Sequence, residues 1–301
     1  MYVKLVVAWL LLASLGAAAA SREEAGQAYA RGDFPTALRE LRKLADKGDL
    51  EAAAMVGLMY SQGLGATRDC EQGMLWTRKA ADKGVARAQH NFGVMYESGI
   101  CVDLDYTKAA RWYELAAAKG DLSAISNLGT LYLNGQGVKK DQAKAVALFR
   151  KAADGGDAIA QSNLGMALID GTGVPVDMRA GFAWLKKAAT PDNPALYFNL
   201  GVAYERGQGT PKSPEDAVRC YEKAAEYGHA GAQTNLALML AKGAGTAADI
   251  PRAYMWLSLA AEQGDTFAKD KLNYLVSKAS SRQVAEGQRL ATEWKRNHRL
   301  K

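Results

Sequence analysis

Small and apolar positions recur along this chain at helical spacing, in blocks that repeat every 36 residues. Ala88, Ala124, Ala160 and Ala232 stand one helical turn before Phe92, Leu128, Leu164 and Leu236, and Tyr60, Tyr96, Tyr132 and Tyr204 extend the same stripe. A spacing of four predicts one buried face on the first helix of each block. A second stripe holds Trp76, Trp112, Trp184 and Trp256 at one shared position, with Leu148 and Cys220 in the other two blocks. Tryptophan at such a position of a second helix reads as core rather than as a binding feature.

Glycine punctuates the pattern. Gly48, Gly84, Gly120, Gly156, Gly228 and Gly264 lie on the 36-residue grid, with Asp192 in the missing slot. Gly57, Gly93, Gly129, Gly165 and Gly201 follow nine residues after a grid point, and Gly63, Gly99, Gly135, Gly171, Gly207 and Gly243 follow fifteen after. The last group predicts the left-handed C-terminal residue of the first helix. Asp49, Asp121, Asp157 and Asn193 are placed to cap first helices, with Pro194 just inside the fifth. Asp69, Asp105, Asp141, Asp177, Ser213 and Asp249 are placed to cap second helices. The expected architecture is all-α: a solenoid of six helix pairs over residues 48–263, with a capping helix pair at 21–47. Residues 264–301 supply two closing helices, 265–278 and a longer one to about Trp294, then a basic tail.

The string NLGTLYLNGQGVKKDQAKAVALFRKAADGGD, residues 127–157, resembles the Sel-like repeat (SLR) family, relatives of tetratricopeptide repeats with longer loops. The resemblance implies a right-handed α/α superhelix whose first helices line a concave groove, and a role as an adaptor or scaffold for a protein or peptide partner. It also raises regulation or assembly in the cell envelope.

Composition adds compartment. Lys4, the apolar run 5–16 and the small residues 17–20 read as a signal peptide over residues 1–20, cleaved before Ser21. The run is short for a membrane span, and no later segment reaches that length. The expected mature chain is exported, periplasmic or secreted, with no transmembrane segment. A net charge of +6 without interleaved basic and aromatic clusters excludes a nucleic-acid partner as the working reading. Lys295, Arg296, His298, Arg299 and Lys301 form a solvated tail that offers at most a weak contact with an anionic envelope surface.

Catalytic chemistry finds no support in the sequence. His90, His229 and His298 are scattered, no metal-ligand spacing or phosphate loop occurs, and no cofactor is implied. Some SLR proteins are linked to β-lactam hydrolysis, but Ser-x-x-Lys is absent. A binding module for cell-wall glycan is the second class, and it requires exposed aromatics along the groove.

The candidate contact row is Asn91, Asn127, Asn163, Asn199 and Asn235, one per unit at one slot of the first helix. Asparagine is a mediocre helix former, so the row has a purpose beyond propensity. An amide both donates and accepts, which suits capture of peptide main chain; it equally suits a bond to a neighbouring helix. By resemblance to tetratricopeptide grooves, where such asparagines hold peptide, the row is a binding candidate. His90, Val94 and Glu97 flank it in one unit, and Phe198, Val202 and Glu205 in another, a mixed surface that suits an apolar peptide or helix. Phe198 is the expected anchor.

Cys101 replaces a loop glycine kept as Gly65, Gly137, Gly173, Gly209 and Gly245, and Cys70 opens the second helix of the preceding unit. An exported chain permits a disulfide between them, provided the two loops bring the Cα atoms within about 7 Å. Cysteine-rich relatives place a pair inside one helix hairpin, and this pattern departs from theirs. Cys220, in the tryptophan slot, reads as a buried small hydrophobe.

Overall fold

A computed structural model describes residues 16–190 and 193–299. Among them every regular element is helical. The chain divides into two compact units, one ending at Ala160 and the other starting at Gln161.

The first unit contains α1 (Gly16–Ala30), α2 (Phe34–Asp46), α3 (Leu50–Gln62), α4 (Cys70–Ala81), α5 (Ala86–Ser98), α6 (Tyr106–Ala117), α7 (Leu122–Asn134) and α8 (Gln142–Asp154). They pair as hairpins α1/α2, α3/α4, α5/α6 and α7/α8, and each hairpin packs on the next through α2/α3, α4/α5 and α6/α7. The boundary between units falls in the first turn of α9 (Ala158–Asp170). The second unit continues with α10 (Met178–Ala188), a 3-10 turn at Pro194–Leu196, α11 (Tyr197–Arg206), α12 (Pro214–Glu226), α13 (Ala230–Lys242), α14 (Ile250–Glu262), α15 (Thr266–Lys278) and α16 (Ser281–Arg299). Here α15 and α16 both pack on α14.

The six second helices open as their sequence dictates. Asp69, Asp105, Asp141, Asp177, Ser213 and Asp249 each accept the amide N–H three residues on. First helices close on Gly63, Gly99, Gly135, Gly171, Gly207 and Gly243, all at φ between 66° and 73°, where a side chain would be strained.

The core slot is one residue past the tryptophans. Tyr113, Phe149 and Tyr221 are fully buried, as are Leu185 and Leu257, whereas Trp112, Trp184 and Leu148 are only half-buried. Trp76, Trp256 and Cys220 are the buried members of the tryptophan slot. The deep residue lies against the first-helix glycine nine residues past the grid. A Cβ on Gly129 would stand 2.7 Å from the Phe149 ring, and one on Gly201 would stand 2.7 Å from Tyr221. The missing side chain is therefore the hole that the ring fills.

Two elements depart from the sequence reading. The fifth first helix does not open at Asn193: a 3-10 turn precedes α11, and Leu196 stands at its N-cap without a side-chain bond. The cause is local. Asp192 holds the grid slot that glycine fills elsewhere, and α10 already ends at Ala188, with Ala189 at φ −80°. The basic tail is no frayed coil, because α16 runs to Arg299, with Trp294 stacked on His298 at 4.0 Å and packed edge-on against Trp256. Lys295 pairs with Glu262 at 2.9 Å, which anchors the start of that tail. At the other end, residues 1–15 of the expected signal segment lie outside the described residues, and residues 16–20 are backbone of α1. No helix among the described residues is long and apolar enough to cross a membrane.

One cap is a histidine. His229 stands where Asp49, Asp121, Asp157 and Asp265 cap other helices, and its Nδ1 accepts the Ala232 N–H at 3.1 Å. That bond needs a neutral imidazole with its proton on Nε2. Burial, including a stacked Phe198 ring 4.4 Å away, holds the His229 pKa below its ordinary value. A depressed histidine contributes stability above its unfolded pKa and loses it as pH falls through the folded value. Melting temperatures between about pH 7.5 and about pH 5 should therefore fall more steeply for the native chain than for His229→Asp. The aspartate variant should gain about 1 kcal/mol at the acid end, the worth of a restored cap. Parallel melting curves for the two proteins would refute this account of the cap.

Candidate functional site

The asparagine row occupies first helices, and the structure places most of its amides against the preceding helix pair. Asn91 is buried and donates to the Ala54 carbonyl at 3.3 Å. A cavity of about 10 Å³, room for one water, lies beside it between Leu58, Ser61, Thr77 and Val94. Asn127 bonds His90 Nε2 at 3.2 Å, and Asn199 donates to the Ser162 hydroxyl at 2.8 Å. Asn235 donates to the Tyr221 hydroxyl at 3.2 Å. Asn163 makes no hydrogen bond among the described residues. Asn127, Asn163, Asn199 and Asn235 are all partly exposed, so each keeps amide capacity that its bonds do not use.

His90 and Phe198 occupy one slot, three repeats apart, and each leans on a buried tyrosine. Their ring centroids lie 5.7 Å from Tyr113 and 6.0 Å from Tyr221 respectively. Since the Asn127 amide donates to Nε2, the His90 proton sits on Nδ1. Burial is the main reason its pKa is lowered. Phe198, the expected anchor, is half-buried between Tyr221 and His229.

The tyrosines complete a chain of hydrogen bonds that the slot-by-slot reading passed over. Tyr113 donates to Glu97, and Tyr221 donates to Glu205 at 2.6 Å. On the other side the Tyr221 oxygen accepts from the Asn235 amide, whereas near Tyr113 the Asn127 amide bonds His90. Burial, then the adjoining carboxylate, pushes both phenols well above the usual tyrosine range. The overlooked signal is co-occurrence. Glutamate at the Glu97 slot appears in the two units that carry tyrosine at the Tyr113 slot, while Leu133/Phe149, Ile169/Leu185 and Ala241/Leu257 are apolar pairs.

Inter-repeat contacts are polar as well as apolar. Gln89 and Gln233 are buried and donate to the Ala81 and Ala225 carbonyls at 3.3 and 3.2 Å, beside the Gly84 and Gly228 N–H that those carbonyls already accept. Thr234 donates to Asp265 at 2.7 Å, so the carboxylate that caps α15 is itself held by α13.

Cys70 and Cys101 form a disulfide, with a Cα–Cα distance of 4.9 Å. The geometry follows from the glycine that Cys101 replaces. Gly65, Gly137, Gly209 and Gly245 sit at φ between 67° and 80°, and a Cβ on any of them would strike the backbone of Phe34, Tyr106, Met178 or Pro214. Those four residues open second helices at the slot Cys70 occupies in α4. The two cysteines thus turn the tightest loop-to-helix approach into a covalent bond. Cys101 keeps the left-handed backbone, φ 64°, as the one non-glycine residue with positive φ among those described. An open cleft of about 580 Å³ runs beside the bond, lined by Arg68, Met74, Tyr96 and Lys108. The third cysteine, Cys220, is a free and buried thiol whose pKa burial raises to about 11.

The fold and its repeated polar row define an α/α repeat protein of the solenoid class. The Sel1 repeat model matches residues 50–85, 86–121, 122–157, 158–190, 194–229 and 230–265. The chain belongs to the Sel1 repeat family. The fourth match is short, at the place where the grid glycine is missing. Among solved structures, the chain is similar to c5321, a protective antigen of uropathogenic Escherichia coli strains that displays an SLR fold. Identity is 35%, the TM-score is 0.64, and the match covers 86% of this chain and 55% of that one, so this chain spans only about half of that relative's length. It is also similar to a Sel1 repeat protein from Oxalobacter formigenes, at 31% identity and TM-score 0.63, covering 73% of this chain and 86% of the other. No curated protein matches the chain. Sel1 repeat proteins generally serve as protein-interaction scaffolds and are typically non-enzymatic.

Replacing both bonded cysteines tests the loop geometry. Cys70→Ala with Cys101→Ala should lose about 3 kcal/mol of stability, as expected for a native cross-link of this span. Cys70→Ala with Cys101→Gly should recover about 1 kcal/mol of that loss, because glycine alone accepts the left-handed backbone without strain. Equal denaturation midpoints for the two double variants would contradict this reading.

Proposed function

We propose that this protein is exported and works in the cell envelope as a scaffold, holding a peptide or protein segment on its first helices. The observation that carries the reading is the partly exposed asparagine row, whose amides keep unused donors and acceptors beside apolar side chains such as Val94 and Met166. An extended main chain needs such alternating partners when it leaves water. Second helices, by contrast, turn charged residues outward, including Lys108, Arg111 and Glu114 on α6. Export is supported by the apolar N-terminal run, by a disulfide suited to an oxidising compartment, and by the protective-antigen role stated for c5321. Exposed Arg296 adds a weak attraction to anionic envelope surfaces.

Two measurements test this. A photo-reactive side chain at Thr130 or Met166, on first helices, should cross-link an envelope partner, and one at the exposed Leu115 of α6 should not. Cross-links from Leu115 alone would move binding to the second-helix face. Replacing Asn127, Asn163 and Asn199 by Ala in a chain that stays folded should abolish the first-helix cross-links. Separately, fractionation and N-terminal sequencing should find the chain outside the cytoplasm, beginning at Ser21. A cytoplasmic chain that retains residues 1–20 would overturn export.

A further inference from the structure

The two tyrosine–glutamate pairs say something about the partner's chemistry. Each glutamate is half-buried, and one of its oxygens is held by a fully buried phenol. The Tyr221 phenol is in turn oriented by Asn235 of the candidate row, and the Tyr113 ring by the His90 ring that Asn127 bonds. The phenol thus restrains the carboxylate, whose second oxygen makes no hydrogen bond among the described residues. Burying the phenol does not demand this arrangement of a repeat, since three of the other units fill the same two slots with apolar pairs.

The charges are also uncompensated. Glu40, Glu51, Glu222, Glu262 and Glu286 each meet a lysine or arginine within 4.0 Å. Glu97 and Glu205 make no ion pair among the described residues. Arg206, next to Glu205 in sequence, acts on Tyr221 only through space. A fixed, partly desolvated carboxylate without a cation gains most from an ammonium or guanidinium brought by a ligand.

We propose that Glu97 and Glu205 are cation subsites, and that the segment bound on the first helices is an extended peptide carrying lysine or arginine. In each unit the bound main chain meets the asparagine amides of that unit, and a basic side chain meets its carboxylate. His90 and Phe198 form the wall of each subsite, and Tyr113 and Tyr221 are positioning residues. The inference rests on the scaffold reading above, and it replaces the purely apolar ligand that the flanking residues suggest in the sequence. The chain as a whole carries +6, so long-range attraction disfavours a basic ligand and any preference for one must be local.

The test uses the mature chain and two short, capped, fluorescent peptides, one of alternating Ala and Lys and one of alternating Ala and Gln. Anisotropy titration at low salt should show the lysine peptide binding about tenfold tighter, the scale of one charge-assisted hydrogen bond. Added salt should narrow that gap. Glu97→Gln and Glu205→Gln preserve an acceptor for the phenol and should keep the melting temperature. Each should weaken the lysine peptide about threefold and leave the glutamine peptide unchanged. Tyr113→Phe, which frees Glu97 without removing its charge, should give a smaller loss. Equal affinity for the two peptides, or a Glu97→Gln/Glu205→Gln chain that binds the lysine peptide as before, would overturn the cation subsites. If both peptides bind equally and Asn163→Ala weakens both, the scaffold reading stands and the subsites fall. If neither peptide binds, both readings fall.

Discussion

In five of the six repeats the helix pair is held by a side chain that fits only because a glycine stands opposite it. Tyr113, Phe149, Leu185 and Tyr221 press against Gly93, Gly129, Gly165 and Gly201, where a Cβ would overlap their atoms. The approach removes the deep residue from water entirely, and burying a ring of that size contributes about 2 kcal/mol per repeat. Everything else in the repeat depends on this spacing. It sets how near the second helix lies to the first, and so where the loops cross and which polar groups can reach the next pair. In the sixth unit alanine replaces the glycine, and the smaller, more flexible Leu257 replaces the ring.

Stacking of one pair on the next is governed by a different rule. The seam between pairs contains small residues, so backbone comes close, and the carbonyls at second-helix ends become hard for water to reach. Gln89 and Gln233 add a second donor to the Ala81 and Ala225 carbonyls, which already accept the Gly84 and Gly228 N–H, and Asn91 bonds the Ala54 carbonyl inside α3. A buried amide bonded this way adds little net energy, yet leaving that amide without a partner would cost about 1–3 kcal/mol. The polar row therefore fixes register between neighbours, and what it leaves over is offered to solvent or to a ligand.

Most of the fold is legible in the sequence because a 36-residue period reports every cap and every left-handed residue several times over. Agreement among six units makes Asp69, Asp105 and Asp141 into caps where any one alone would be an aspartate. The period also misleads where a unit breaks it. The displaced start of α11 falls in the one unit whose grid slot holds Asp192 instead of glycine, a break with no second example in the chain. The tryptophan slot reads as the deepest core because tryptophan is the bulkiest residue, but depth follows the glycine hole, which faces the next position. The candidate site is only half legible. The asparagine row is plain, whereas Glu97 and Tyr113 lie sixteen residues apart on different helices, and only comparison between units ties them together.

The Cys70–Cys101 bond carries a consequence for the history of this chain. Cys101 occupies a backbone geometry that every other unit gives to glycine, so its presence is justified while Cys70 stands ready to meet it. Losing Cys70 first would strand a reactive thiol at an unfavourable φ, and losing Cys101 first to any residue but glycine would keep the strain without the bond. Only a return of glycine at position 101 opens a downhill path back to the unbonded repeat. The pair thus behaves as a ratchet: once acquired, it narrows the order in which later substitutions can undo it.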